Sequence, residues 1–127
     1  MSAQALIIED NHLNRDVLLV LLRHEGLTCT PLETAVGLES TLEGLSTLDV
    51  IFLDLELPDV SGFAALEVLK KHPLSQDVPV VAYTVHVSQA NQAREAGFHS
   101  FLGKPLDLAT FPGYLRQILN RQPVWEF

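Results

Sequence analysis

The sequence predicts an α/β domain, a doubly wound five-stranded parallel sheet with helices on both faces. Two observations carry this. Five short, nearly continuous apolar runs alternate with five segments whose apolar residues recur at helical spacing. Parallel strands covered on both faces read in this way. In addition, the polar residues that interrupt the runs gather at their carboxyl ends.

Each element has its own signal. Ala5–Ile8 is wholly apolar and stops at Glu9 and Asp10, which marks the first strand. From Asn11 onward, Leu13, Val17, Val20 and Leu21 mark the stripe of the first helix, and Gly26 offers a left-handed C-cap. Leu27–Leu32 is the second strand. Ala35, Leu38, Leu42 and Leu45 mark a second helix weakened by Gly37 and Gly44. Asp49–Leu57 holds the third strand, and Pro58 with Ser61–Gly62 punctuates a loop. Phe63, Leu66 and Leu69 restart a helical stripe that ends near His72–Pro73.

Val78–Val85 is the fourth strand. The stretch SQANQAREAG after it is helical by propensity but offers mainly alanines for burial. Phe98–Leu102 is the fifth strand. The last helix shows Phe111, Leu115, Ile118 and Leu119, and is expected to start near Thr110 so that Pro112 falls in its first turn. RQPVWEF reads as a tail beyond it, with Trp125 and Phe127 folding back over a neighbouring apolar surface. The expected division is one domain over residues 1–121 and a short C-terminal tail over 122–127.

Composition narrows the function. Sixteen acidic against eight basic side chains give a net charge of −8. That balance opposes nucleic-acid backbone and anionic lipid, and suits divalent cations. The apolar run Val17–Leu22 is too short to cross a bilayer, and the N-terminus carries no basic stretch of a secretory signal. Cys29 is alone and is expected to be a small buried hydrophobe. A cytoplasmic, soluble, single-domain protein is the expectation, with no room for a separate output domain.

At strand ends in an open parallel sheet, ligands are bound near the switch point. Glu9 and Asp10 follow strand one, Asp54 closes strand three, Thr84 closes strand four and Lys104 follows strand five. Three close carboxylates repel one another unless a cation sits among them. An oxygen-only set completed by water describes Mg²⁺. A carboxylate beside that ion, with an ammonium and a hydroxyl nearby, has the parts for forming an acyl phosphate. The plainer readings are a charged cap on the first helix for Glu9–Asp10 and a solvated surface lysine for Lys104. The five histidines show no metal-ligand spacing.

Four segments, IIEDN at 7–11, FLDLELPDVSG at 52–62, YT at 83–84 and FLGKP at 101–105, carry a resemblance. Together and in this order they resemble the response-regulator receiver domain of two-component signalling, the CheY-like superfamily, in its stand-alone form. The resemblance covers essentially the whole chain and implies the flavodoxin/CheY-like strand order 2-1-3-4-5, for which CheY is a standard example.

The resemblance also implies roles. Asp54 is the phosphoacceptor, taking a phosphoryl group from a phosphohistidine on a sensor histidine kinase or histidine phosphotransfer protein. Asp10 binds Mg²⁺ directly, Glu9 through water, and the backbone carbonyl of Glu56 is a further ligand. Lys104 pairs with the phosphoryl group, and the Lys104–Pro105 bond is cis. Thr84 moves toward the phosphoryl group on activation while Phe101 turns inward. A downstream protein target then binds the face made by the fourth helix, fifth strand and last helix. The chain is a monomer or a weak phosphorylation-dependent dimer, and is no enzyme beyond its own phosphorylation and dephosphorylation.

Departures from the family pattern carry expectations too. Val85 stands where alanine is usual and is expected to slow phosphate loss. Glu56 and His86 stand where side chains tune hydrolysis. Phe98 replaces a small residue and is expected to enlarge an apolar patch beside the partner face. The alternative function is a phosphorylation-independent binding adaptor on the same fold, against which the intact set Glu9, Asp10, Asp54, Thr84 and Lys104 weighs. A phosphatase using Glu56 as its second acid is remote, because no cap or substrate loop is evident.

Overall fold

In the computed structural model, residues 3–58 and 60–127 are described. Met1, Ser2 and Asp59, the last within the FLDLELPDVSG segment, lie outside the described residues. The strands are β1 Gln4–Ile8, β2 Thr28–Leu32, β3 Val50–Asp54, β4 Val80–Thr84, β5 Ser100–Gly103 and β6 Trp125–Glu126. All pair in parallel, in the order β2-β1-β3-β4-β5-β6. The expected order of the first five strands is thus present, and the chain adds a sixth.

The helices are α1 His12–His24, α2 Leu38–Glu43, α3 Gly62–Lys71, α4 Ala90–Ala96 and α5 Phe111–Leu119, with a 3-10 turn at Val87–Gln89. Alternation along the strands builds two cores. Ala5, Ile7, Phe52, Val81 and Leu102 pack against Leu18, Leu22, Phe111, Leu115 and Ile118 of α1 and α5. Leu6, Ile8, Ile51, Leu53 and Phe101 pack against Leu38, Leu42, Ala65, Leu66, Leu69, Ala90 and Ala93 on the other side.

Local chemistry sets the boundaries. The Asn11 side chain caps α1 by accepting from the Asn14 N–H at 3.0 Å. Gly26, at φ 88°, closes it with a Schellman turn in which the Leu27 N–H donates to the Leu22 carbonyl. Gly37 and Gly44 bound α2 rather than sit inside it, which is why it has six residues. Pro31 falls in β2, a sheet edge, where its missing donor costs no ladder bond. Pro112 lies in the first turn of α5, as its ring requires.

Three readings of the sequence change here. On α1 the sheet takes Leu18, Leu19 and Leu22, while Leu13, Val17 and Val20 face solvent, with Leu13 78% and Val20 66% exposed. The helix is apolar on two sides, and the stripe marked by Leu13, Val17 and Val20 is the outer one. Phe98 is buried, edge-to-face with Phe63 at 5.9 Å, and adds nothing to a surface patch. The closing segment is a strand of the sheet, not only a tail. Arg121 takes φ 64° as α5 ends, Val124 enters the α1–α5 core, and Trp125 pairs with Phe101.

Candidate functional site

Parallel pairing places the carboxyl ends of β1, β3, β4 and β5 along one rim. β1 runs directly into Glu9, β3 ends on Asp54, β4 ends on Thr84, and β5 leads into Lys104. One carboxylate oxygen from each of Glu9, Asp10 and Asp54 lies within 4.8 Å of the others. Glu9 and Asp54 are buried, and Asp10 is exposed at the mouth.

Lys104 is the counter-charge. Its Nζ donates to Glu9 Oε1 at 2.5 Å and stands 3.6 Å from Asp54 Oδ2. The ammonium also sits 4.3 Å over the ring of Tyr83, a cation–π contact. Tyr83 is held in turn by its hydroxyl, which donates to the Asn14 carbonyl at 3.2 Å. Sequence reading gave Tyr83 no role; its only signal was its place beside Thr84. Burial and the Glu9 and Asp54 charges push its phenol well above the usual range.

The environment biases the two buried acids in opposite directions. Burial pushes Asp54 up to about 8, reinforced by its hydrogen bond with Glu9 and opposed by the Glu56 N–H and Lys104. Burial also pushes Glu9 upward, but its hydrogen bonds with Asp54 and Lys104 outweigh this and hold it below the usual carboxylate range. Within the pair, ionisation is thus favoured at Glu9, the acid that Lys104 contacts, and disfavoured at Asp54. Asp54 Oδ1 accepts from the Glu56 N–H at 2.9 Å. The Glu56 side chain turns to His86, 2.8 Å away across the mouth.

A divalent cation fits this donor set. Three hard oxygens converge, two are buried, and the acid nearest the centre is charged only with difficulty until positive charge arrives. Among the described residues no other group of three or more His, Cys, Asp or Glu side chains is placed to hold a metal.

Thr84 is buried, and its hydroxyl accepts from the His86 N–H at 3.1 Å. Its carbonyl accepts from the Lys104 N–H at 2.9 Å, which ties the ends of β4 and β5. The Lys104–Pro105 peptide is cis. Phe101 is apart from the carboxylates. It is already fully buried, parallel to Trp125 at 5.7 Å and edge-on to Phe127 at 5.2 Å. Val85 is exposed just past Thr84. Among the described residues, no helix is long and apolar enough to cross a membrane.

Comparison with known proteins agrees with this geometry. The osmosensing histidine protein kinase SLN1 of Saccharomyces cerevisiae is 29% identical over 112 residues, 83% of this chain but 9% of the kinase. Hybrid signal transduction histidine kinase A of Dictyostelium discoideum likewise matches over 5% of its length, so the chain spans a small fraction of both kinases. The polar-differentiation response regulator DivK of Brucella ovis is 29% identical, with 94% of this chain and 98% of DivK covered.

In structure, the receiver domain of the sensor histidine kinase PA1611 from Pseudomonas aeruginosa PAO1 superimposes with a TM-score of 0.83. It shares 24% identity, with 94% of this chain and 99% of that one covered. That protein holds a magnesium ion in its active site cleft. Residues 5–116 match the family described as the response regulator receiver domain. With that match spanning nearly all of the sheet and its helices, the chain belongs to the response regulator receiver domain family.

Proposed function

We propose that this chain is a phosphoryl-accepting switch of a two-component phosphorelay, with Asp54 as the acceptor. The observation that carries the reading is the convergence of Glu9, Asp10 and Asp54 with Lys104 at one rim, two of the acids buried. A buried acid held up to about 8 is a poor nucleophile near neutrality. Mg²⁺, held by Asp10, Glu9, Asp54 and the Glu56 carbonyl, would supply the positive charge that ionises Asp54 and neutralises phosphoryl oxygens.

This chain's own residues do the rest. Asp54 attacks phosphorus, an O–P bond forms, and the P–N bond to the donor imidazole breaks with its electron pair on nitrogen. Lys104 leaves Glu9 to pair with a phosphoryl oxygen, a short swing from its place 3.6 Å from Asp54. Thr84 exchanges its contact with the His86 N–H for a phosphoryl oxygen. Val85, exposed at the exit of β4, narrows the approach of water and slows phosphate loss.

The donor is a phosphohistidine on a sensor histidine kinase or phosphotransfer protein. The outward apolar stripe Leu13, Val17 and Val20 begins beside the site and supports docking of such a partner along α1. The downstream target reads the α4–β5–α5 face. We place the chain in the cytoplasm, as a monomer or weak phosphorylation-dependent dimer that turns over no metabolite.

Incubation with Mg²⁺ and acetyl phosphate, followed by intact mass, tests this. One phosphoryl group should be gained, and lost both in Asp54→Ala and without Mg²⁺. No gain, with Mg²⁺ binding also absent, would turn the reading to a phosphorylation-independent adaptor.

A further inference from the structure

Helix α4 is the least anchored of the helices. It buries only Ala90 and Ala93, and no side chain caps its first turn. Besides these alanines and the Lys70 ammonium, which donates to the Ala96 carbonyl, it is held from the far end of the chain. The Arg94 guanidinium lies 4.4 Å over the Trp125 ring, and the same ring stacks on Phe101 at 5.7 Å, parallel within 8°. Phe127 closes over Phe101 edge-on.

Gly103 backs this occupant: a Cβ there would press on Val87 Cγ1 at 3.2 Å and touch Phe127 at 3.4 Å. Phe101 N–H donates to the Val124 carbonyl at 2.8 Å, and Val124 N–H donates to Ser100 Oγ at 3.0 Å. Beyond Val124, which is anchored in the α1–α5 core, the attachment is slight, a strand of two residues with Phe127 65% exposed. Beside it, a cavity of about 300 Å³ opens between the segment and α5, lined by Leu102, Leu106, Phe111, Tyr114 and Phe127.

We infer that the edge of β5 is a strand-accepting groove in which residues 125–127 sit as a displaceable internal ligand. Its external occupant is an extended segment of a partner protein that carries two aromatic residues flanking an acid. The chemistry follows from the present occupant. Backbone groups of Ser100–Gly103 offer parallel strand addition, Phe101 and Arg94 both pack on one aromatic ring, and a second ring lies beside Gly103 two residues on. Partner binding at this groove removes Trp125 from Arg94 and so frees α4. The groove lies on the α4–β5–α5 face given above to the downstream target and so deepens that reading, but its test needs no phosphorylation, so failure of the phosphoacceptor reading leaves it standing.

The test uses the full chain and a labelled RQPVWEF peptide, without phosphodonor. A tethered segment competes at an effective concentration near millimolar, so emptying the seat should tighten binding of the free peptide. Trp125→Ala/Phe127→Ala should bind it at least about tenfold more tightly than the wild type. Adding Phe101→Ala, or replacing both aromatics of the peptide with alanine, should abolish the gain. No saturable binding to a folded double variant, or equal affinity for both proteins, overturns the proposal.

Should the double variant fail to fold, the wild type decides. Trp125 is the only tryptophan, and an RQPVFEF peptide at about millimolar concentration should shift its emission to the red. Unchanged emission overturns the proposal. So does a concentration-dependent dimer of the wild type that Trp125→Ala/Phe127→Ala abolishes, because the groove would then belong to a second copy.

Discussion

Lys104 donates to Glu9 at 2.5 Å and stands 3.6 Å from Asp54, whose burial raises its pKa. The ammonium is thus committed to the acid that is already ionised. Whatever charges Asp54 must also compete for Lys104, so loading the site and turning the lysine are one event. With the lysine side chain only 7% exposed, solvent screens this competition little.

Stability should fall as pH rises from about 4 to about 8 in the absence of divalent cation. Asp54 titrates at about 3.8 when unfolded and is raised to about 8 when folded, so between those values the folded state holds a proton that the unfolded state has lost. Glu9 works the other way: its contribution is present above its unfolded value of 4.5 and is lost only as pH falls below it. The loss from Asp54 is on the order of a few kcal/mol, and its midpoint belongs to the Glu9–Asp54 pair. Thermal melts across this range should slope downward in the wild type and run flat in Asp54→Asn.

Mg²⁺ at pH 8 should reverse that loss. At a hundredfold excess over its dissociation constant the gain is about 2.7 kcal/mol. Asp10→Asn should cut the gain while leaving the metal-free melt nearly unchanged, since Asp10 is exposed. Equal Mg²⁺-dependent shifts in both proteins would remove Asp10 from the ligand set.

Gly62→Ala should destabilise by about 1–3 kcal/mol. Its Cβ would stand 2.7 Å from the Asp54 carbonyl and from the Leu55 Cα, both backbone atoms that cannot yield cheaply. Gly113→Ala is the control, because nothing lies within 4 Å of its Cβ and it sits inside α5. That change should be neutral or stabilising by up to about 1 kcal/mol. Denaturant midpoints at unchanged slope read both.

Trp125 emission should respond to acetyl phosphate with Mg²⁺, and stay constant in Asp54→Asn. Phe101 is already buried against Trp125, so any shift of Phe101 must repack that ring pair. A phosphorylated chain, verified by mass, with unchanged emission would separate Phe101 from the switch.

The sheet was legible because β1, β3 and β4 are buried on both faces, and strands so placed must be apolar throughout. For the same reason Glu9, Asp54, Thr84 and Lys104 stood out as polar residues at strand ends. Periodicity failed on α1, where Leu13, Val17 and Val20 repeat as regularly as Leu18 and Leu22, and only the sheet chooses between them. β6 was hidden by its length, since two residues after Pro123 carry little alternation. Tyr83 escaped because its work depends on a lysine twenty-one positions away.

With the docking along α1 proposed above, the outward stripe sets stability and solubility at odds with recognition. Leu13, Val17 and Val20 touch no core, so exchanging them for glutamate or lysine leaves the fold intact and makes the chain more tractable in solution. A protein improved that way for purification would look flawless by every measure of folding. It would also have lost the one surface on which three aliphatic side chains wait in line beside the acids.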